Sequence, residues 1–341
     1  MREQRYADIA ISGLEHVDGT VVVTSLEIDN QLAGMYERLG QPPGLLQTLA
    51  GIEERRFWEH DIQPSDAATL AAEKLLANTD VHRDDIGILI NTSVCRDYIE
   101  PSTASIVHGK LGLSRTALNF DVGNACLGFL NGLSIVAAMI ERGEVKHGIV
   151  VDGEGSRLAI EKTIERLAAD TSTEETYREQ FSTLTLGSGG SAMLLSAVDE
   201  TDSQRRFIGG LSRSATEHHM LCVGQPDEMK TDTRGLLMAG LDVAKESYQD
   251  AYSQFGFQDE SVDLYAIHQI SQVHTQMVGD ILGLSHDKIP RMFPMFGNTG
   301  PASIPMVISK EEDAGRLSDG QRIVMLGMGS GINASAYELI W

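Results

Sequence analysis

Short apolar segments alternate with amphipathic segments along most of the chain. ADIAISGLEHV near the start, IGILINTSV at 86–94 and HGIVVDGEG from His147 have the length and composition of strands. Between the first two, PSDAATLAAEKLLANTD has the spacing of an amphipathic helix, with Ser65 as its expected N-cap. This alternation predicts an α/β sheet with helices on its faces.

One segment, CLGFLNGLSIVAAMIERG, is apolar on nearly all sides. It follows the predicted strand FDVGNA and is predicted to form a helix from Cys126 to about Gly143. A helix of this kind is normally buried inside a protein. Gly128 and Gly132 weaken it but allow a neighbouring element to approach closely. We therefore expect this helix at the centre of the molecule.

The second half of the chain repeats the order of strand and helix. VDLYAIHQIS is a predicted strand that ends at His268, and SQVHTQMVGDILGL is a predicted helix. GNTGPASIPMVISKEEDAG leads through a turn into a helix, and two strands around a glycine turn close the chain. A heavily charged segment from Ser156 to Ser182 is expected at the surface, as an insertion or lid. The order predicts one internally duplicated unit.

Composition and charge exclude several classes of function. The chain has 341 residues and a net charge of −22, so its field repels phosphate backbones and anionic membranes. No apolar run could cross a membrane, and the start lacks the apolar core of a signal peptide. Cys95, Cys126 and Cys222 are too few for a disulfide framework and lack metal-ligand spacing. We expect a cytoplasmic protein with reduced thiols that binds no nucleic acid and no metal and is not an integral membrane protein.

Cys126 is the first candidate for chemistry. It follows a strand and opens a buried helix, whose N-terminal amides would lower the pKa of the thiol and bind an oxyanion. Cysteine is also a good small core residue, and the local sequence leaves the two interpretations evenly balanced. Cys95 and Cys222 lack such a setting, which favours structural roles for both.

Two polar residues in the second half could assist a thiolate. His268 ends an apolar strand, where α/β folds place site residues, although a lone histidine is more often structural. Asn298, in FGNTGPASIP, has the setting of a turn residue, but a helix that begins after it would aim its amide at a pocket. The set suits thioester chemistry, in which Cys126 takes an acyl group and the other two donate hydrogen bonds to a carbonyl.

The ordered motifs resemble those of the thiolase superfamily, in its β-ketoacyl-ACP synthase III branch. DVGNACLGF resembles the active-cysteine motif, IHQIS the histidine motif and GNTGPASIP the asparagine motif, while GMGSGINASA resembles the final glycine turn. The resemblance spans nearly the whole chain and implies a five-layer αβαβα fold, active as a homodimer. Its two similar halves would lie at 1–170, with the cysteine, and at 171–341, with the histidine and asparagine.

The resemblance also implies roles for particular residues. Cys126 would be acylated, and His268 and Asn298 would form one oxyanion hole. The backbone amides of Cys126 and Ser330 would form another, although Ser330 stands where many relatives carry Gly. No cofactor is implied, because acyl-CoA is a substrate.

Within the branch, NTSVCRDYIEPSTAS, AGIEERRFW and VVDGE look like the OleA-type enzymes of olefin biosynthesis. This implies a non-decarboxylative Claisen condensation of two long-chain fatty acyl-CoAs to a 2-alkyl-3-oxoalkanoate. The reaction needs a base, and the candidate is Glu100, in a loop that reaches across the dimer interface in this branch. A carboxylate in an apolar tunnel would have a raised pKa. A solvated loop glutamate is the alternative to this role, and His268 is the rival base.

Other functions stay open at this point. A β-ketoacyl-ACP synthase III would use malonyl-ACP, which is acidic like this chain, and a related acyltransferase would make a secondary metabolite. A degenerate subunit that only binds acyl thioesters is the non-enzymatic alternative, against which the intact Cys126, His268 and Asn298 argue. Arg55 and Arg56 either meet CoA phosphates or have a structural role. Downstream enzymes of the olefin pathway are possible partners.

Overall fold

The computed structural model describes residues 2–341. Its strands are β1 (Arg2–Arg5), β2 (Ile9–Asp18), β3 (Val21–Thr24), β4 (Glu54–Phe57), β5 (Ile86–Asn91), β6 (Leu118–Asp121), β7 (His147–Glu154), β8 (Gly189–Ala197), β9 (Arg206–Ser214), β10 (Cys222–Gly224), β11 (Met229–Thr231), β12 (Leu264–Ile267), β13 (Arg322–Gly329) and β14 (Asn333–Ile340). Its α-helices are α1 (Ser25–Gln31), α2 (Ala33–Leu39), α3 (Leu45–Thr48), α4 (Pro64–Ala77), α5 (Thr103–Leu111), α6 (Gly128–Glu141), α7 (Arg157–Ala168), α8 (Glu174–Gln180), α9 (Thr233–Phe255), α10 (Gln272–Leu282), α11 (Phe293–Phe296) and α12 (Ser303–Asp313).

Ten strands form a central sheet in the order β12-β13-β14-β9-β2-β8-β7-β5-β6, with β1 beside β9. Among the described residues, β2 and β9 share one antiparallel ladder pair, Ala10 with Arg206. Because the strands pair so briefly there, the sheet divides into two parts at this point. In the first part β2, β8 and β7 are antiparallel neighbours, and β7 is parallel to β5. In the second part β9, β14 and β13 are antiparallel neighbours, and β13 is parallel to β12. The two parts share one topology, which confirms the predicted similarity of the halves.

The largest hydrophobic core lies between the two parts of the sheet. It contains residues of α6 and α12, such as Leu130, Val136 and Ile308, together with strand residues from both halves. Helices α4 and α5 pack on the outer face of the first part, and α9 and α10 pack on the outer face of the second. The layers therefore alternate as helix, sheet, helix, sheet, helix, which confirms the expected αβαβα fold and the central position of α6.

The starts of two predicted helices, α4 and α6, are corrected by the structure. Helix α4 begins at Pro64 with Gln63 as its N-cap, so the expectation that Ser65 caps it is wrong. Proline has a helical φ and no N–H, which suits the first helical position and leaves Ser65 inside the first turn. Helix α6 begins at Gly128 rather than Cys126, and the turn before it contains Ala125 with a φ of +46°, outside the helical region.

The charged segment between the halves forms α7 and α8. The charged residues of these helices are exposed or partly exposed, whereas Ile160, Leu167 and Tyr177 are buried in a cluster with α1 and α2. The predicted boundary between residues 170 and 171 falls between the two helices, and strand β8, later in the chain, pairs with β2 and β7. The division at that boundary stays a prediction.

Candidate active site

Cys126 lies in a tight turn between β6 and α6. Ala125 before it occupies the left-handed region, which residues with a side chain rarely adopt outside sites that need it. Gly128 packs against the end of β5, where an added Cβ would lie 2.8 Å from the carbonyl oxygen of Thr92. A larger residue at 128 would push this turn away from the sheet. The short turn and the close contact together set the position of the thiol.

The thiol of Cys126 is held in its neutral form. Burial is the largest cause, followed by the charge of Glu154, and together they raise the pKa of Cys126 well above its usual range. The backbone amide of Cys126 acts in the opposite direction but is outweighed. The expectation of a lowered thiol pKa is therefore wrong, because desolvation of the thiol disfavours an anion more than the nearby helix start favours it.

His268 follows β12, and its backbone N–H donates to the carbonyl of Leu326 at 2.9 Å. The side chain is only 2% exposed. Burial, with a smaller contribution from the charge of His274, lowers the pKa of His268 to about 3. The imidazole is therefore neutral at physiological pH, which suits a hydrogen-bond donor better than a base.

Asn298 is fixed on both sides by backbone hydrogen bonds. Its N–H donates to the carbonyl of Thr185, and its own carbonyl accepts from the N–H of Gly187, both at 2.8 Å. Its side-chain Oδ1 accepts from the N–H of Gly300 at 3.0 Å, which occupies the acceptor end of the amide. The Nδ2 donors are left for another partner, as expected for an oxyanion-hole residue.

The structure brings four of the predicted site residues together. Cys126, His268, Asn298 and Ser330 all line one cavity of about 1270 Å³. The final glycine turn packs directly on the cysteine turn, since a Cβ at Gly329 would lie 2.8 Å from the carbonyl oxygen of Asn124 and 3.2 Å from the backbone nitrogen of Leu127. The convergence of these four residues on one cavity fits the predicted acyl transfer, and the role of each residue stays a prediction.

Glu100 takes a different position. Its neighbours Tyr98 and Ile99 line the cavity, whereas Glu100 itself is exposed and is not among the described residues that line it. Ile99 is 97% exposed, so the loop carries an apolar side chain outward beside the mouth of the cavity. Within one chain Glu100 therefore lies beside the site, and its role as a base stays a prediction.

Glu154 is a site residue that sequence reasoning missed. It lines the cavity at the end of β7, and its carboxylate accepts from the backbone N–H groups of Val94 at 2.6 Å and Cys95 at 3.3 Å. Burial raises the pKa of Glu154 to about 7. The signal in the sequence was an acidic residue at the end of a buried strand, in VVDGE. Cys95 and Cys222 also line this cavity.

The cations at the cavity are not the ones that the sequence suggested. Arg55 is fully buried and donates to Ser25 Oγ at 3.1 Å, and Arg56 forms an ion pair with Glu54 at 2.6 Å, so their structural alternative holds. Other arginines line the cavity instead: Arg96, Arg157 and Arg178. Among residues 2–341 no group of His, Cys, Asp or Glu could hold a metal ion, and no helix is long and apolar enough to span a bilayer.

A thiol, an imidazole and an amide that line one large cavity of an αβαβα fold are typical of a thiolase-like acyltransferase. The chain matches the family models for 3-oxoacyl-[acyl-carrier-protein] synthase III at residues 120–209 and for the C-terminal part of that enzyme at residues 253–341. It is 46% identical to the acyl-CoA:acyl-CoA alkyltransferase of Xanthomonas campestris, over 98% of this chain and 99% of that one. The corresponding protein of Shewanella oneidensis is 34% identical, over 99% and 100%.

Solved structures give the same result. Cerulenin-bound OleA of Xanthomonas campestris is 45% identical with a TM-score of 0.97, over 99% of this chain and 98% of that chain. A cysteine-to-serine variant of that OleA with bound lauric acid and lauroyl-CoA has a TM-score of 0.96 at 45% identity, over 98% and 100%. The chain therefore belongs to the 3-oxoacyl-ACP synthase III branch of the thiolase superfamily, among the acyl-CoA:acyl-CoA alkyltransferases. This confirms the family, the fold and the class of acyltransferase inferred from the sequence.

Proposed function

We propose that the chain condenses two long-chain fatty acyl-CoAs head to head and so opens an olefin pathway. The convergence of Cys126, His268 and Asn298 on one cavity carries this proposal. Its volume of about 1270 Å³ exceeds the roughly 300–1,000 Å³ of most small-molecule pockets. Room for more than one alkyl chain distinguishes this reaction from condensation with a malonyl group, which adds only two carbons after it loses CO₂. The sequence and structure of the Xanthomonas alkyltransferase support the same reaction.

The first half-reaction acylates the enzyme. The sulfur of Cys126 attacks the thioester carbonyl of the first acyl-CoA, and the amides of Cys126 and Ser330 stabilise the oxyanion. The C–S bond to CoA breaks, and CoA leaves as its thiol with the proton that Cys126 has lost. Because the thiol is neutral at rest, this proton leaves during the step rather than before it.

The second half-reaction forms the carbon–carbon bond. The thioester carbonyl of a second acyl-CoA accepts hydrogen bonds from His268 and Asn298, and Glu100 removes its α-proton. The carbanion attacks the acyl carbonyl on Cys126, and the C–S bond to Cys126 breaks. Water then hydrolyses the β-keto thioester to CoA and the 2-alkyl-3-oxoalkanoate. The low pKa of His268 favours Glu100 over His268 as the base.

The active form in this proposal is a homodimer. Strand β6 is the terminal strand of the sheet, and its side chains Leu118 and Phe120 are exposed. Val94, Tyr98 and Ile99 in the loop after the neighbouring strand β5 are exposed apolar residues as well. An unpaired edge with apolar side chains favours pairing with a second copy. Such pairing would cover the loop and bring Glu100 to the partner's cavity.

Incubation with myristoyl-CoA alone tests the reaction. The expected product is a 2-alkyl-3-oxo acid that loses CO₂ on heating and appears as a long-chain ketone by gas chromatography. A Cys126→Ala variant should give no acyl-enzyme mass and no ketone. A strict requirement for malonyl-ACP would instead identify a β-ketoacyl-ACP synthase III, of which the Bacillus pumilus enzyme is a 28% identical example. The same proposal includes a cytoplasmic location for the protein and downstream enzymes of the olefin pathway as partners.

A further inference from the structure

A second buried histidine lies beside His268. His274, in the first turn of α10, is 6% exposed, and the centroids of the two imidazole rings are 6.5 Å apart with an interplanar angle of 66°. No ring nitrogen of either histidine makes a well-formed hydrogen bond to any residue between 2 and 341. The backbone of Gly300 makes a weak hydrogen-bonding contact with the ring of His268. Buried polar groups are nearly always well paired in folded proteins, so these two adjacent rings indicate a further partner.

A small inner cavity adjoins both rings. Its volume is about 40 Å³, and its wall is mostly apolar. His268 and His274 line both this inner cavity and the large one, so they form part of the wall between the two. Ser247 on α9 also lines the inner cavity, and its Oγ has no hydrogen-bond partner within the described chain. The hydroxyl of Tyr248, by contrast, already donates to the carbonyl of Phe257 at 2.8 Å.

We infer that the inner cavity binds ordered water that joins Ser247 to the two imidazoles, and that His274 is a positioning residue for His268. A buried water molecule needs a cavity of about 10–15 Å³ and about two to four polar partners. The inner cavity offers more than this volume. Ser247, His268 and His274 supply the polar partners, and none of these groups makes another well-formed side-chain hydrogen bond within the described chain.

The inference deepens the proposed function, because it explains how His268 would be kept as a donor. A neutral imidazole has one N–H and one acceptor nitrogen. A donor on the inner side, either water or the N–H of His274, occupies the acceptor nitrogen of His268. The N–H then lies on the substrate side, where the thioester oxygen needs it. Without that inner donor the two tautomers interchange, and part of the population presents a lone pair to the carbonyl.

Nitrogen-15 NMR of the histidine rings tests the tautomer directly in the full-length protein. The signals of His268 are assigned with a His268→Asn variant. In the wild type we expect one protonated and one unprotonated nitrogen on that ring, and in His274→Leu we expect shifts that move toward the average of the two tautomers. Averaged shifts in the wild type, or identical shifts in the two proteins, would overturn the inference.

Kinetics separate positioning from packing. In His274→Leu we expect acylation of Cys126 by myristoyl-CoA at the wild-type rate, whereas kcat for condensation falls roughly tenfold because part of one oxyanion-hole donor is lost. His274→Gln, which keeps hydrogen-bonding groups, should recover most of this loss. Val278→Ala alters the apolar wall of the same inner cavity and serves as the control. Equal losses in His274→Leu and Val278→Ala would indicate packing and overturn the positioning role.

A high-resolution crystal structure of the wild type provides a test that needs no variant. Water within hydrogen-bond distance of Ser247 Oγ and of an imidazole nitrogen is expected, and a dry inner cavity would overturn the inference. Failure of the wild type to form ketone would refute the proposed function alone. The NMR and crystallographic results would still report whether His274 and water hold His268.

Discussion

At the scale of single residues, burial disfavours the charged form of three groups of the site. It raises the pKa of the Cys126 thiol and the Glu154 carboxyl and lowers the pKa of His268. All three shifts favour the uncharged form, as expected where water is excluded. Next to the thiol of Cys126 and the imidazole of His268, an acyl thioester therefore meets uncharged groups. Charge then develops on the reacting thioester, next to the donors that can stabilise it.

Replacement of Glu100 with Ala should separate the two half-reactions. General-base catalysis typically contributes about 10²–10⁴-fold, so ketone formation from myristoyl-CoA should fall at least about 100-fold. Acylation of Cys126, measured by intact-protein mass spectrometry, should continue at the wild-type rate. Glu59→Ala is the matched control, because it removes another carboxylate at the cavity and should leave both rates unchanged. Full turnover in Glu100→Ala would remove this residue from the mechanism.

The sequence predicted the reacting residues better than their surroundings. Cys126, His268 and Asn298 stand in motifs whose order along the chain identifies them. Glu154 and His274 do not, because their importance comes from burial beside residues that are distant in sequence. The raised pKa of Cys126 was missed for the same reason, since a helix start is visible in the sequence and the desolvation of the thiol in the folded chain is not.

At the scale of secondary-structure elements, the approach of α6 to the sheet positions the nucleophile. A Cβ at Gly132 would lie 2.9 Å from Val150 Cγ1 and 3.0 Å from Thr92 Cγ2, and Gly128 meets the backbone of Thr92 more closely still. The two glycines thus allow the first turns of α6 to contact β5 and β7. Elements such as α6 and β7 were predictable from apolar patterning, whereas their ends depended on cap and turn geometry that single residues decide.

Gly128→Ala should disturb this contact. The added Cβ meets a backbone oxygen that cannot rotate away, so we expect a loss of about 1–3 kcal/mol in the free energy of unfolding and slower acylation of Cys126. Gly109→Ala, at an exposed position of α5 with nothing within 4 Å of the added Cβ, should instead be neutral or stabilising by about 0.4–1 kcal/mol. Urea unfolding measures both. Equal stabilities for the two variants would contradict the proposed tight contact.

At the scale of the whole molecule, the site lies where the two halves meet. Cys126 comes from the first half, and His268 and Asn298 come from the second. The duplication was predictable from the repeated order of elements. The short pairing of β2 with β9 and the common core around α6 and α12 were not predictable, because sequence order does not give the packing of one sheet on another.

The two buried histidines should make the fold sensitive to acid. Their ordinary pKa is 6.5, and burial lowers it to about 3 in His268 and about 4 in His274. Below pH 6.5 the unfolded chain therefore binds protons that the folded chain does not, and the free energy of unfolding falls as pH falls toward 4. Each histidine contributes roughly 1.4 kcal/mol per pH unit in this range.

The comparison with His274→Leu isolates this contribution. Glu154, whose pKa is raised, acts in the opposite direction between about pH 7 and its ordinary value of 4.5, so the slope of the wild type alone is mixed. Urea unfolding at pH 7, 6 and 5 should show that the variant loses less stability on acidification than the wild type. Parallel slopes would mean that His274 takes up a proton in the folded state.

The dimer proposal makes a prediction about two inactive variants mixed together. Cys126→Ala lacks the nucleophile, and Glu100→Ala lacks the base. If Glu100 acts in the partner's cavity, a heterodimer of the two has one complete site, formed by Cys126 of one chain and Glu100 of the other. Random exchange of equal amounts gives heterodimers in half of the dimers, so about a quarter of the sites should be active.

Ketone formation before and after subunit exchange measures this recovery, and analytical ultracentrifugation verifies that the dimers re-form. Mixing Cys126→Ala with His268→Asn is the matched control. Both of these residues line the cavity of a single chain, so that heterodimer has no complete site and should stay inactive. If the Glu100→Ala mixture also stays inactive although heterodimers form, Glu100 must act within its own chain. The exposed position of the loop beside β6 would then need an explanation other than dimerisation across the site.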